Sequence, residues 1–243
     1  MLLLLGAATL IIASLTVLSG FGLGTLLTPL VVLFYPVKTA VVSVAFVHAA
    51  NNLFMLALFR RRVVWRVVLR FGLLSIAGAA LGALLLAGAQ ASAVQVVLGA
   101  VLLAAGLAEI WAAGGRTLRL PPWPGVDLAL GFLSGLLGGL VGNQGALRAA
   151  YLLGTGLVGE PFVATAAAIS TAVDATRLPL YLASPQLSRL HTSALALLIA
   201  CAFAGTYAGR GLLRHLSPEG FRRLVAAALC LAGSLLLGAA FFP

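Results

Sequence analysis

Two stretches of this chain are near-copies of each other, and the arginines lie on opposite sides of them. Residues 76–83 read IAGAALGA and residues 199–206 read IACAFAGT. Ile76, Ala77, Ala79 and Gly82 recur as Ile199, Ala200, Ala202 and Gly205, an offset of 123 residues (199 − 76). The same offset pairs Ala45 with Ala168, Ala49 with Ala172 and Asn51 with Asp174. The first copy is preceded by Arg60, Arg61, Arg62, Arg66 and Arg70; the second is followed by Arg210, Arg214, Arg222 and Arg223. Basic loops stay on the cytoplasmic side of a membrane, so copies whose basic flanks change ends enter it from opposite sides.

Lipid as the solvent follows from composition. The chain is 62% hydrophobic and 8% charged, with a mean hydropathy of +1.15. A soluble domain of 243 residues could not hide that much apolar surface. Its 28 glycines suit helices that approach closely within a bilayer. The formal charge of +10 sits in short loops between apolar runs, which is a topogenic pattern and not a nucleic-acid footprint. The leading MLLLLGAATLIIASL lacks a basic n-region and reads as a retained membrane segment. Cys201 and Cys230 fall inside apolar runs, so no disulfide framework, metal site or cofactor is expected.

Eight apolar elements are expected, at about 2–35, 38–59, 66–87, 93–112, 125–158, 161–182, 190–210 and 221–242. One span needs about 20 residues, so the first and fifth are too long for a single crossing. Each is broken by glycine, at residues 19–24 (SGFGLG) and 138–145 (GGLVGNQG). Irregular backbone at membrane depth is tolerated where it is buried or lines a cavity, so each long element reads as a hairpin returning to its own side. Of the fifteen Lys and Arg residues, eleven then fall inside; Lys38 and Arg189 fall outside, and Arg148 and Arg177 lie within apolar elements. The expected fold is an all-α integral membrane protein of two inverted-topology repeats, each a glycine-broken helical hairpin plus three transmembrane helices. Residues 1–112 form the first repeat, 113–124 a cytoplasmic linker and 125–243 the second repeat. Trp65, Trp111 and Trp123 fall near the cytoplasmic boundary, as an interfacial aromatic belt would. Tyr35, Pro36, Pro161 and Pro179 mark helix ends or kinks, and Ser217-Pro218-Glu219 reads as the N-cap of the last helix.

The order of these motifs resembles a known family. SGFGLGTLLTP at 19–29 is followed by a helix, a basic loop ending in Trp65-Arg66, and the small-residue helix GLLSIAGAALGALL. A second glycine break and a closing LSPEGFRRLVAAALCLAGSLLL complete the pattern. Nearly the whole chain is similar to the TauE/SafE sulfite exporter family, also called TSUP. The resemblance implies movement of a sulfur-containing anion such as sulfite, a sulfonate or sulfoacetate across the bacterial inner membrane. The second break reads Gly142-Asn143-Gln144-Gly145 where the family often has a run of glycines, and Arg148 follows it closely.

The two breaks are the leading candidates for the anion site. A new helix begins after each, near Thr25 and near Ala146, and helix N-termini present unpaired N–H groups and partial positive charge. Gly22, Gly24, Thr25 and Thr28 contribute on one side; Gly142, Asn143, Gln144 and Gly145 contribute on the other. Arg148 either binds an oxyanion bidentately or pairs structurally with Asp174 or Glu160, or snorkels to the inner surface. On the sixth element Thr171, Asp174 and Arg177 are spaced by three and share roughly one face. Arg177 is expected to neutralise Asp174; Asp174 is a candidate proton-coupling carboxylate. His48, Asn51 and Asn52 form a polar cluster on the second element, with His48 a second proton-coupling candidate against the commoner reading of a hydrogen-bonded helix contact.

The expected activity is secondary transport of a small sulfur-containing anion by alternating access between the repeats, in the export direction and coupled to protons through Asp174. A passive anion channel with the same midplane site is the alternative, and a non-transporting membrane subunit remains open. An enzyme is disfavoured: the chain has no HExxH, no GxSxG and three histidines. No GxxxxGK[ST] motif is present to support direct ATP drive. The expected partners are the anion and the lipid bilayer, with no nucleic acid; self-association into a homo-oligomer is left open.

Overall fold

The computed structural model describes residues 2–19, 22–113, 125–183, 192–212 and 218–241, and every regular element among them is helical. In chain order these are α1 (Leu2–Ser19), α2 (Leu23–Val32), α3 (Val37–Phe59), a 3-10 turn (Arg60–Arg62), α4 (Trp65–Gly88) and α5 (Ala91–Ala113). There follow α6 (Val126–Val141), α7 (Gly145–Gly154), α8 (Gly159–Leu182), α9 (Thr192–Leu212) and α10 (Pro218–Phe241). Gly20 and Phe21 of the first break lie outside the described residues. So do Arg116, Arg119, Trp123, Arg189, Arg214 and Ser217, together with most of the expected linker.

Both over-long apolar elements are broken where the glycines stand. Gly142 takes φ 73° and ends α6: its N–H reaches Gly138 O at 3.2 Å while Asn143 N–H reaches Leu137 O at 3.4 Å. This is a left-handed helix stop, which costs a residue with a Cβ about 1–2 kcal/mol. Gly22 takes φ 82° immediately before α2. The pieces are short, 16 and 10 residues for α6 and α7. At 1.5 Å per residue neither piece reaches across a hydrocarbon core of about 30 Å. Among the described residues four helices are long and apolar enough to cross a membrane, over Val37–Arg62, Trp65–Gly88, Ala91–Trp111 and Thr192–Gly211. The eighth helix is as long, but carries Asp174 and Arg177 and is not among the four. Leu69, Leu73, Leu84, Leu107, Leu231 and Leu235 are exposed on the outer faces of the bundle, as lipid-facing side chains are. Trp65 and Trp111 are also exposed, at a helix start and near a helix end. The chain is therefore a multi-pass membrane protein, all-helical among the described residues.

Helix directions can be read from the closest contacts. Gly131, Gly135 and Gly139 of α6 abut the carbonyls of Phe71, Ser75 and Ala79, so α4 and α6 run parallel. Gly205 and Gly209 of α9 abut the carbonyls of Leu10 and Ser14, so α1 and α9 also run parallel. Gln95 of α5 donates to Leu236 O at 3.1 Å, while Gly106 meets Cys230 and Ala226, so α5 and α10 are antiparallel. His48 meets Asp174 while Arg62 meets Glu160, so α3 and α8 are antiparallel as well. The helix lengths run 18, 10, 23, 24, 23 in α1–α5 and 16, 10, 24, 21, 24 in α6–α10.

Lipid gives no hydrophobic drive for helix pairing, so backbone proximity carries it. At Gly135 a Cβ would overlap the Ser75 carbonyl, and backbone cannot step aside as a flexible side chain can. Gly135→Leu is expected to lower stability by about 1–3 kcal/mol in thermal unfolding of the detergent-solubilised protein. Gly88→Leu, where a Cβ meets nothing within 4 Å, is the matched control. Equal melting temperatures for the two variants would refute the close α4–α6 contact.

Candidate functional site

Buried polar side chains from both halves meet where the two breaks face each other. A Cβ on Gly24 would stand 2.8 Å from the carbonyl oxygen of Gly142, so glycine is what allows the two tips to touch. Thr25 donates to Asn143 Oδ1 at 3.1 Å, tying the first tip to the second. Gly142 lies 3.5 Å, by its would-be Cβ, from the Thr28 hydroxyl. Ser134 of α6 donates to the carbonyl of Gln144 at 3.1 Å and steadies the second break from below. Gly145 is buried and opens α7. The first N–H groups of α2 and α7 have no partner within their own helices, which is general to helix starts.

Asp174 of α8 is the hub beside this junction, 1% exposed. His48 Nδ1 lies 2.9 Å from its Oδ2, and Asn52 donates to the same oxygen at 2.8 Å. Arg177 donates through Nε to Oδ1 at 2.9 Å, with Nη2 2.7 Å from that oxygen. The expected mutual neutralisation of Asp174 and Arg177 is thus what the structure has. The same guanidinium donates from Nη1 to Gly138 O, and Tyr181 donates to Gly139 O. Arg177 and Tyr181 therefore hold the last carbonyls of α6, where the helix dipole favours a cation.

Arg148 is different. It is 2% exposed, donates from Nη1 to Ser170 Oγ, and among the described residues makes no ion pair. Glu160, one of its expected alternatives, pairs instead with Arg62 at 3.2 Å. Arg148 Nη2 stands 3.3 Å from where a Gly22 Cβ would lie, with His48 Nε2 at 3.6 Å. Several buried polar atoms of Arg148 and of the two breaks have no hydrogen-bond partner among the described residues: Arg148 Nε, Asn143 Nδ2, both amide atoms of Gln144, and the Thr28 hydroxyl. Burying an unsatisfied donor costs about 1–3 kcal/mol, so such a cluster needs a reason. A cavity of about 20 Å³ adjoins Arg148, bounded by Gly22, Asn51, Asn52, Met55 and Val163.

Eleven of the fourteen residues singled out from sequence lie together at this junction or its hub: Gly22, Gly24, Thr25, Thr28, His48, Asn52, Gly142, Asn143, Gln144, Arg148 and Asp174. Gly145 stands behind them at the start of α7. Thr171 does not join: it is half-buried and bonds its own helix at Ala167 O, 2.8 Å. Asn51 edges the cavity but accepts from Thr206 of α9 at 2.7 Å and turns its amide to Met55. Ser134, Ser170, Tyr181 and Thr206 were not expected. Ser170 had a signal, standing one turn before Asp174 on the same helix. Among the described residues no group of three or more His, Cys, Asp and Glu side chains is placed to hold a metal ion.

A protein-family model, sulfite exporter TauE/SafE, matches residues 5–236. No curated protein and no solved structure matches the chain.

Proposed function

The chain belongs to the sulfite exporter TauE/SafE family, a family of transporters, and on that premise we propose that it is a secondary transporter of a small monoanionic sulfur oxyanion. The observation that carries the reading is Arg148, buried and among the described residues without an ion pair, together with the unpartnered amide donors of the second break. A sulfonate or sulfite head group offers oxygens that accept bidentate bonds from a guanidinium and single bonds from Asn143 and Gln144. Asp174 and Arg177 cancel, which leaves one positive charge for the ligand. Beside the polar Thr16, Asn51 and Asn52, the cavity wall at Leu23, Met55, Val163, Ala166 and Ala167 is apolar and suits a short carbon substituent. An organosulfonate fits both features better than sulfate, whose second charge would be left unpaired in a low dielectric.

Alternating access is supported by the helix directions. The first and ninth helices are parallel, as are the fourth and sixth, while α3–α8 and α5–α10 are antiparallel. Exchanging α1–α5 for α6–α10 maps each of these pairings onto another or onto itself. A two-fold axis in the membrane plane makes self-paired helices antiparallel; an axis along the normal would make them parallel. The same directions make α2 and α7 the returning arms of hairpins, so residues 1–112 and 125–243 read as inverted repeats joined by 113–124. With the Arg60–Arg62 turn in the cytoplasm, the chain sits in a bacterial inner membrane with its basic loops inside. The cavity of about 20 Å³ has room for roughly one water, so ligand entry requires the halves to move, as a transporter requires and an open channel does not.

The test is a thermal-shift series on purified protein with ethanesulfonate, sulfite, sulfate and acetate. Saturating ethanesulfonate, at about 100 times its Kd, is expected to add about 2.7 kcal/mol by mass action, with sulfate giving far less. No shift with any sulfur oxyanion would end the reading. Asn143→Ala removes an amide donor while Thr25 keeps its place on α2. It is expected to weaken ethanesulfonate binding about tenfold or more by titration calorimetry; unchanged affinity would take Asn143 out of the site.

A further inference from the structure

Four arginines from two separate segments converge on one depression, where α3 ends, α8 begins and α9 ends. It has a volume of about 330 Å³ and is bounded by Arg60, Arg61 and Arg62 of the 3-10 turn, Arg210 of α9, Phe59 and Glu160. Topology alone asks for basic residues somewhere in these loops; it does not ask them to line a common concavity. Two of the four are fixed in place. Arg62 donates to Glu160 at 3.2 Å, and the Arg210 guanidinium lies over the Phe59 ring at 5.6 Å. Arg60 and Arg61 are exposed and make no ion pair among the described residues. Among the described residues Glu160 is the one carboxylate on the rim, so the depression they form carries a clear excess of positive charge.

The position of this depression matters as much as its charge. Leu58 and Phe59 of α3 line it, and Met55 of the same helix lines the small cavity beside Arg148. At 1.5 Å per residue, Met55 and Phe59 are about 6 Å apart along the axis. On α8, Glu160 borders the depression and Val163 borders the inner cavity. One turn of each helix therefore separates the lining of the basic mouth from the lining of the inner cavity that Arg148 borders. A low-dielectric funnel lined by one sign of charge raises the local concentration of a counter-ion and its rate of arrival.

We propose that Arg60, Arg61 and Arg210 form a second oxyanion site, a cytoplasmic vestibule that captures the free anion before it passes Met55 to Arg148, with Glu160 as the resident competitor. The ligand chemistry is a singly or doubly charged oxyanion held by guanidinium groups. This rests on the transport reading above and adds a station to it. Selectivity stays with the inner site, because exposed guanidinium groups attract sulfate as readily as a sulfonate.

The test compares wild type with Arg60→Gln/Arg61→Gln in proteoliposomes, with ethanesulfonate presented to the arginine-bearing face at 20 and 300 mM NaCl. The wild-type KM is expected to rise about tenfold between the two salts. The double variant is expected to show the high-salt KM already at low salt, with kcat unchanged, and Glu160→Gln to lower KM. A double variant with wild-type KM at low salt, or with kcat reduced at constant KM, overturns the vestibule. The series is run in pure phosphatidylcholine and with one quarter phosphatidylglycerol. A difference between wild type and variant that appears only with the anionic lipid means the arginines hold a headgroup, and overturns the proposal. Binding of sulfate to Arg148→Ala protein separates the two readings. Salt-sensitive sulfate binding that disappears on adding Arg60→Gln/Arg61→Gln supports the vestibule even if ethanesulfonate is not transported, and its absence from Arg148→Ala protein counts against it.

Discussion

Arg148→Ala is expected to weaken ethanesulfonate binding by about thirtyfold or more, while leaving the ligand-free protein as stable as wild type or more so. The two halves of that expectation come from the same fact. A guanidinium 2% exposed and without an ion pair among the described residues has lost its water and gained a hydroxyl, Ser170, in exchange. The effective penalty for burying such a charge is several kcal/mol. Alanine removes that penalty at the loss of one hydrogen bond, about 1 kcal/mol, and of some packing. An anion bound there reverses the account: truncating one partner of a buried, hydrogen-bonded charge pair costs about 2–5 kcal/mol, or roughly 30- to several thousand-fold in Kd. Arg148→Lys keeps the charge and loses the planar fork, so an intermediate affinity is expected. Melting temperatures with and without 10 mM ethanesulfonate read both halves at once. A ligand-free protein that melts several degrees lower, with the ligand shift intact, would make Arg148 a structural strut.

The contrast between Arg148 and Arg177 also marks how far sequence could be read. The spacing of apolar runs and the glycine breaks placed the ten helices of the described residues to within a few residues, because helix length in lipid is set by bilayer thickness and glycine is the residue a left-handed stop selects. Arg177 three residues after Asp174 was legible as a neutralising pair, since that spacing is local. Its second task, holding Gly138 O, was not legible: that carbonyl is 39 residues away on α6 and backbone leaves no sequence signal. Thr171 shows the limit of face arguments. Each step of three residues turns a helix by about 60° short of a full turn, so Thr171 and Arg177 diverge by about 120° although each is near Asp174. The hydroxyl then finds its own helix carbonyl at Ala167. Asn51 was matched to Asp174 through the repeat offset, yet Thr206 captures its carbonyl oxygen, a partner on α9 that the offset does not specify. His48 against Asp174 crosses 126 residues, and only the packing of α3 on α8 brings them within 2.9 Å.

Asp174→Asn is expected to destabilise the protein by about 3–5 kcal/mol and to remove any proton-gradient dependence of transport, and the two effects can be separated. Destabilisation follows because Arg177, 1% exposed, keeps its charge while its counter-ion disappears; breaking one side of a buried pair costs that much. Asparagine keeps one acceptor oxygen, which can face Arg177 while its amide nitrogen replaces the oxygen that accepts from Asn52, so the Arg177 contact has a route to survive even as the charge balance fails. Removing both charges in Asp174→Asn/Arg177→Gln is expected to recover most of the loss, since paired deletion leaves no uncompensated ion and glutamine can still donate toward Gly138 O. The double variant then answers the functional question in a folded protein. If Asp174 carries the proton, the double variant moves ethanesulfonate down its own gradient but does not respond to an imposed pH gradient. His48→Gln, tested beside it, removes the ring whose Nδ1 lies 2.9 Å from Asp174 Oδ2 and is expected to slow the response without abolishing it. A double variant that still concentrates ethanesulfonate against its gradient when driven by pH would strip Asp174 of the coupling role and leave it the counter-ion that keeps Arg177 clasped to α6.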